Sequence, residues 1–164
     1  LIFDLRDNPG GWVQDAEKIG GMFLSKKLLY YTEDRFGRRK EFRTDAGAEE
    51  MQLTLLVNEN SASASEILSA AMQDHQRAKL VGVKTFGKGV IQFVVPLSDQ
   101  KSGFQLTNAQ YFSPLGHKVH KEGITPDLIV EMPEELKDKF FDTGDMSDPQ
   151  LAAAYEDLLG RLPN

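Results

Sequence analysis

Short runs of apolar and β-branched residues alternate along the chain with stretches in which apolar positions recur every three or four residues, which predicts a mixed order of strands and helices. Residues 1–5 read as a strand. Residues 13–24 read as a helix with Val13, Ala16, Ile19, Met22 and Phe23 on one face. Residues 28–33 and 40–43 are short strands around Arg35-Phe36-Gly37-Arg38-Arg39, a β-hairpin with a basic tip whose default meaning is a solvated loop. A polar connection, 44–51, leads to a buried strand at 52–57. Beyond it Ile67, Leu68, Ala71, Met72 and His75 recur at helical spacing, and 79–83 is again strand-like. That strand, helix, strand order implies a parallel crossover. Residues 90–97, 104–112 and 128–130 complete the strands, and 151–162 an amphipathic helix after an acidic, turn-rich stretch at 142–149. The fold class expected is α/β, with a β-hairpin and a C-terminal helix.

At 164 residues the chain suits one domain over 1–164 with a real core. A net charge of -6 and a pI near 5.1 argue against a nucleic-acid partner. The absence of cysteine excludes disulfides and thiolate metal sites, so redox chemistry does not place the protein in a compartment. Leu1-Ile2-Phe3-Asp4-Leu5 reads as the middle of a strand, with no initiator methionine or signal-peptide pattern. The chain is therefore expected to be a piece of a longer protein.

The chemistry centres on Asn58-Glu59-Asn60-Ser61-Ala62-Ser63-Ala64-Ser65-Glu66, where the buried strand runs into its helix. A serine at such a junction sits beside helix N-terminal amides that favour negative charge, which suits a nucleophile whose attack creates an oxyanion. Ser63-Ala64-Ser65-Glu66 also fits a capping box, the commoner use of this pattern. Only a base elsewhere reverses that preference. His75 would lie about 18 Å along the same helix, too far to serve. His117 and His120 read as surface residues near a substrate groove, and their spacing is a weak metal signal.

A lysine can replace histidine as the base. Lys88 is the candidate, flanked by glycines and placed between Phe86 and Val90, whose burial around it would disfavour the charged form. A lysine in a surface turn is the plain alternative. Gly82-Val83-Lys84-Thr85-Phe86-Gly87-Lys88-Gly89 nearly matches a phosphate-binding loop, but Gly89 stands where a hydroxyl is needed and a strand follows where a helix is required. Arg6-Asp7-Asn8-Pro9-Gly10-Gly11 is a turn whose glycines free backbone N–H groups to face a ligand, or else a plain strand-to-helix turn.

Ser61-Ala62-Ser63-Ala64-Ser65-Glu66-Ile67, then Met72-Gln73-Asp74, then Thr85-Phe86-Gly87-Lys88-Gly89 with Gln92, resembles the signature of the carboxyl-terminal processing peptidases, also called tail-specific proteases. Leu1-Ile2-Phe3-Asp4-Leu5-Arg6 with Gly10-Gly11, and Gly123-Ile124-Thr125-Pro126-Asp127, resemble the family's flanking blocks. The resemblance runs in order from residue 1 to about residue 130, and the tail after about 131 is unassigned. It implies a mixed α/β fold related to the crotonase and Clp-peptidase folds. It also implies Ser63 as nucleophile, Lys88 as general base 25 residues on, and Gln92 as the residue that orients the lysine. Residues 88 and 92 would share a face of a regular strand. The implied oxyanion hole uses the N–H of Ala64 and an amide from Gly10 or Gly11. Asp74, matched by an aspartate implicated in some relatives, would stand about 16 Å from Ser63 along the helix and is read as structural.

The expectation is thus the catalytic core of a serine endopeptidase cleaving proteins near their C-termini, with no cofactor and no metal. The alternatives are a catalytically idle peptide-binding fragment and, by fold analogy alone, a crotonase-type acyl-thioester enzyme. The family's peptide-capturing PDZ domain is absent from this chain. The resemblance further implies a protein or peptide substrate, a bacterial, periplasmic or otherwise extracytoplasmic location, and a full-length protein open to membrane association or oligomerisation.

Overall fold

A computed structural model describes residues 1–99, 101–137 and 139–162. The elements follow in the order β1 (Ile2–Asp4), α1 (Val13–Phe23), β2 (Leu28–Asp34), β3 (Arg39–Arg43), β4 (Thr54–Val57), α2 (Ala64–Asp74), β5 (Lys79–Gly82), β6 (Val90–Pro96), β7 (Gly103–Phe112), β8 (Leu128–Ile129) and α3 (Pro149–Gly160). They form two sheets. One is parallel, in the order β1-β4-β5-β8, and the other antiparallel, in the order β3-β2-β7-β6.

The continuous apolar run of β4 is explained by cover on both faces. Leu55 and Val57 face a core shared with Phe23, Leu68, Met72 and Tyr111, whereas Leu56 joins Val81 and Ala154 of α3 on the opposite side. The crossover from β4 through α2 to β5 is parallel, as the periodicity implies. Helix α3 starts two residues earlier than its apolar pattern. The Asp148 carboxylate accepts from the N–H groups of Gln150 at 2.9 Å and Leu151 at 3.2 Å, and Pro149 supplies a first-turn residue with no N–H to satisfy. The same carboxylate, 1% exposed, pairs with Arg6 at 2.7 Å, so the tail is tied to the end of β1.

Strand β7 is covered over only part of its length. It pairs with β2 only over residues 109–112, while β6 pairs with it over residues 103–110. Residues 103–108 are exposed on both faces as a result, Phe104 and Leu106 among them. Among the described residues no helix is long and apolar enough to cross a membrane.

Candidate active site

Ser63 is the residue at which β4 has ended and α2 begins, and its backbone sits at φ 57° and ψ -116°. That is the left-handed side for a residue with a Cβ, a conformation that costs about 1–3 kcal/mol and persists where neighbours over-determine it. The neighbours are on the page. The Ser63 N–H donates to Glu66 Oε2 at 2.9 Å and the Ser63 side chain faces the Glu66 N–H, so the capping box read from the sequence is present, although the hydroxyl makes no hydrogen bond of normal geometry in it. On either side, Ser61 Oγ donates to the Leu5 carbonyl at 2.7 Å and Ser65 Oγ to the Asn8 carbonyl at 3.1 Å. The outer two serines are spent on structure. The middle one is half-buried and strained, as a presented nucleophile is.

Glu66 does more than cap. It is completely buried, and its second oxygen accepts from Thr85 Oγ1 at 2.6 Å and the Gly87 N–H at 2.7 Å. Oε2, already holding the Ser63 N–H, also accepts from the Lys88 N–H at 2.8 Å. One carboxylate thus receives four donors, three of them from the loop that carries Lys88. A buried charge of this kind is tolerated only when hydrogen-bonded throughout.

Tyr111 repeats the link from the carbonyl side. Its hydroxyl lies 3.1 Å from the Ser63 carbonyl oxygen and 2.6 Å from that of Lys88, and it donates its hydrogen into this pair of acceptors. Burial, and then the charge of Glu66, push the phenol well above its usual range, so it stays protonated as a donor. The loop is fixed on its far side by Thr85 Oγ1, which accepts from the Ile124 N–H at 2.8 Å, and by the Lys121 N–H, which donates to the Gly87 carbonyl at 2.8 Å. Glu66, which the sequence shows only as a cap, and Tyr111 therefore hold the backbones of residues 63 and 88 together.

The turn after β1 closes the third side. Asp7 Oδ1 accepts from Asn58 Nδ2 at 2.9 Å and Asn60 Nδ2 at 2.8 Å, which lowers its pKa below the usual carboxylate range. Gly10 sits at φ +92°, where a Cβ would stand 2.6 Å from the Ala62 oxygen and 2.8 Å from the Ala64 nitrogen. Only glycine allows that approach. The Gly10 N–H donates to Asn8 Oδ1 at 2.9 Å, so of the two glycine amides it is the one already committed. Gly10→Ala is expected to destabilise the protein by about 2 kcal/mol or more. Urea unfolding measures it, and an unchanged midpoint would mean the loop can move away at no cost.

The structure departs from the sequence reading at the lysine. Burial alternates along the loop, with Thr85, Gly87 and Gly89 buried and Phe86 and Lys88 exposed. The bonds from Gly87 and Lys88 N–H groups to Glu66, and from the Phe86 N–H to the Ser61 carbonyl at 3.1 Å, hold the backbone inward and turn both side chains outward. Phe86 is 65% exposed and does not wall the lysine. Gln92, the residue the resemblance assigns to orienting Lys88, has its amide engaged along the sheet. The strand begins at Val90, and its register against β7 shifts between Ile91 and Gln92, where Asn108 of β7 is the extra residue. Gln92 accepts from Gln105 Nε2 at 3.0 Å and lies 3.4 Å from Thr107 Oγ1.

The histidines take structural places. His75 Nε2 lies 2.7 Å from the Leu28 carbonyl oxygen, and Asp74 accepts from the Leu115 N–H at 2.8 Å. His117 is largely exposed, 3.8 Å from Asp74. His120 is less superficial than its sequence context implies, because its backbone packs directly on Gly89 and its Nδ1 is buried without a hydrogen-bond partner.

This geometry is matched by similarity to known proteins. Residues 1–130 fit the model of peptidase family S41. The chain belongs to that family. A carboxyl-terminal-processing protease of Synechocystis sp. is 44% identical over 160 residues, 97% of this chain and 36% of that protein. A carboxy-terminal-processing protease of Bartonella bacilliformis is 39% identical over 145 residues, 86% of this chain and 33% of that protein. Among solved structures, a photosystem II D1 C-terminal processing protease superposes with a TM-score of 0.75 at 37% identity over 80% of this chain and 34% of that one. The tricorn protease gives 0.64 at 25% identity, covering all of this chain and 15% of the other. The mixed α/β fold is thus that of S41 proteases, and the chain spans about a third of the length of the curated relatives quoted.

Proposed function

We propose that this S41 chain is the catalytic core of a carboxyl-terminal processing serine endopeptidase working through a Ser63–Lys88 dyad. The observation that carries the reading is the double tether, Glu66 to the two N–H groups and Tyr111 to the two carbonyls, which makes residues 63 and 88 one rigid unit. Lys88 takes the proton of Ser63 Oγ as the oxygen attacks a peptide carbonyl, and the oxyanion forms against the amides of Ala64 and Gly11. The leaving amine takes a proton from Lys88, and water then releases the acyl-enzyme by the reverse route. The orienting role that the resemblance implies for Gln92 belongs to the same reading, with its amide held by Gln105 and Thr107. The exposed Lys88 needs an apolar surround to work as a neutral base, and bound substrate supplies it. The substrate is the C-terminal region of a protein, in an extracytoplasmic compartment.

Two measurements test this. A fluorophosphonate reagent is expected to label Ser63 alone, which an idle peptide-binding fragment would not allow. Lys88→Arg is expected to be nearly as inactive as Lys88→Ala, because a guanidinium keeps its charge and cannot accept the proton. An arginine variant retaining substantial peptide cleavage would show that only the charge is needed and would end the general-base assignment.

A further inference from the structure

Beside the nucleophile, between α1, α2 and the end of β1, an open cleft of about 160 Å³ runs inward from Gly10, Gly11 and Ala64. Its floor is apolar, made by Phe3, Leu5, Ala16, Ile19 and Leu68. At its mouth stands Trp12, the single tryptophan of the chain and 78% exposed, although it is the largest apolar side chain present. Asp15 lines the same mouth one helical turn on, with its N–H bonded to the Trp12 carbonyl at 3.0 Å.

We propose that this cleft receives the substrate side chain on the acyl side of the scissile bond, that the side chain is uncharged and apolar, and that Trp12 determines which sizes are held. This rests on the peptidase reading above. The argument is positional first. When Ser63 attacks a carbonyl whose oxygen faces the Ala64 and Gly11 amides, the substituent on the adjacent carbon lies at the cleft entrance, which those same residues form. An apolar void of comparable size accepts a benzene-sized group, so leucine and phenylalanine side chains fit within the volume. An exposed indole beside an apolar floor gains by closing over such a side chain, since both lose apolar surface to water. The Asp15 carboxylate at the rim opposes an acidic one.

The test uses peptide phosphonate diphenyl esters that differ only in the side chain next to phosphorus. Ser63 Oγ bonds to phosphorus and phenoxide leaves, its proton passing to the base, so the inactivation rate reads side-chain fit. Leucine- and phenylalanine-like reagents are expected to inactivate wild type at least about ten-fold faster than alanine- or glutamate-like ones. Trp12→Ala should collapse the leucine-to-alanine ratio, and Ala16→Leu, which fills the floor, should reverse it in favour of alanine. Equal rates across the series in a protein that fluorophosphonate still labels at Ser63, or a ratio untouched by Trp12→Ala, would overturn the cleft assignment and leave the dyad standing. If fluorophosphonate fails to label, the peptidase reading falls first. The cleft is then judged on the emission of Trp12 as leucine-ended and glutamate-ended peptides are added, where a blue shift with the former alone supports it and no shift with either overturns it.

Discussion

Ser63→Ala will abolish peptide cleavage, with a loss on the order of 10⁶-fold when the nucleophile of a serine peptidase is removed. It will leave the fold intact. The alanine inherits a backbone held at φ 57° by the Glu66 bond to its N–H, which does not involve the side chain. The cost to stability is up to about 2 kcal/mol if the hydroxyl lends the helix any capping. The neighbouring serines will behave the other way round. Ser61 is completely buried, donates to the Leu5 carbonyl and accepts from the Asn58 N–H at 2.9 Å. Ser61→Ala strands both groups and should cost about 1–3 kcal/mol while cleavage persists below the unfolding range. Ser65→Ala should be milder, about 1 kcal/mol, because the Asn8 carbonyl keeps the Ala62 N–H as donor. Peptide hydrolysis and urea unfolding on the three variants decide the matter. Full turnover by Ser63→Ala, or loss confined to Ser61→Ala, would refute the assignment.

Glu66→Gln will be the second most damaging change, although it is nearly isosteric and lies away from the surface. Each carboxylate oxygen accepts two donors, and an amide can satisfy only one of the two pairs. Its NH₂ group must face either Thr85 Oγ1 with the Gly87 N–H, or the Ser63 and Lys88 N–H groups. Buried donors left without an acceptor cost about 1–3 kcal/mol each, so a total of about 2–5 kcal/mol is expected. The catalytic loss should exceed the stability loss. If the amide turns toward Ser63 and Lys88, it pushes apart the two backbones that the dyad needs together, and a misplacement of about 1 Å can cost about 100-fold in rate. The check is cleavage rate at a temperature where calorimetry shows the variant fully folded. A folded Glu66→Gln protein with wild-type rate would show that Tyr111 alone suffices to hold the dyad.

The elements themselves were legible because burial is periodic and local. Val13, Ala16, Ile19 and Phe23 could be placed on one helix face, and Leu55 to Val57 in a doubly covered strand, without knowing what covered them. Ser63 and Lys88 were singled out as the proposed nucleophile and base through the resemblance of their flanking residues, and the small serines at a strand exit are a local signal of their own. What the linear pattern does not carry is partnership across distance. Glu66 reads as a capping residue, since the bond to Ser63 is three residues long, but its other three donors arrive from positions 85 to 88, which only the placement of that loop against α2 supplies. Tyr111 reads as one apolar position in a strand. Its hydroxyl finds Ser63 and Lys88 because β7 runs beside β2 under the start of α2.

The same limit explains what the structure adds around Lys88. The register shift beside Ile91 leaves Asn108 of β7 as an extra residue, and Gln92 meets Gln105 and Thr107 of that strand. A bulge depends on how two strands meet, not on either alone. Phe86 looks like a wall for Lys88 by adjacency, yet the backbone bonds to Glu66 and Ser61 turn both side chains outward. By itself, then, the sequence determined which segments are strands and helices, the serine-rich junction and the acidic character of the chain, because these depend on residue type and short-range period. The tertiary structure alone decided the four-donor carboxylate, the phenol bridge, the committed Gly10 amide and the apolar cleft under Trp12, because each is a hydrogen bond or a void made by groups that meet only when the sheets and helices pack.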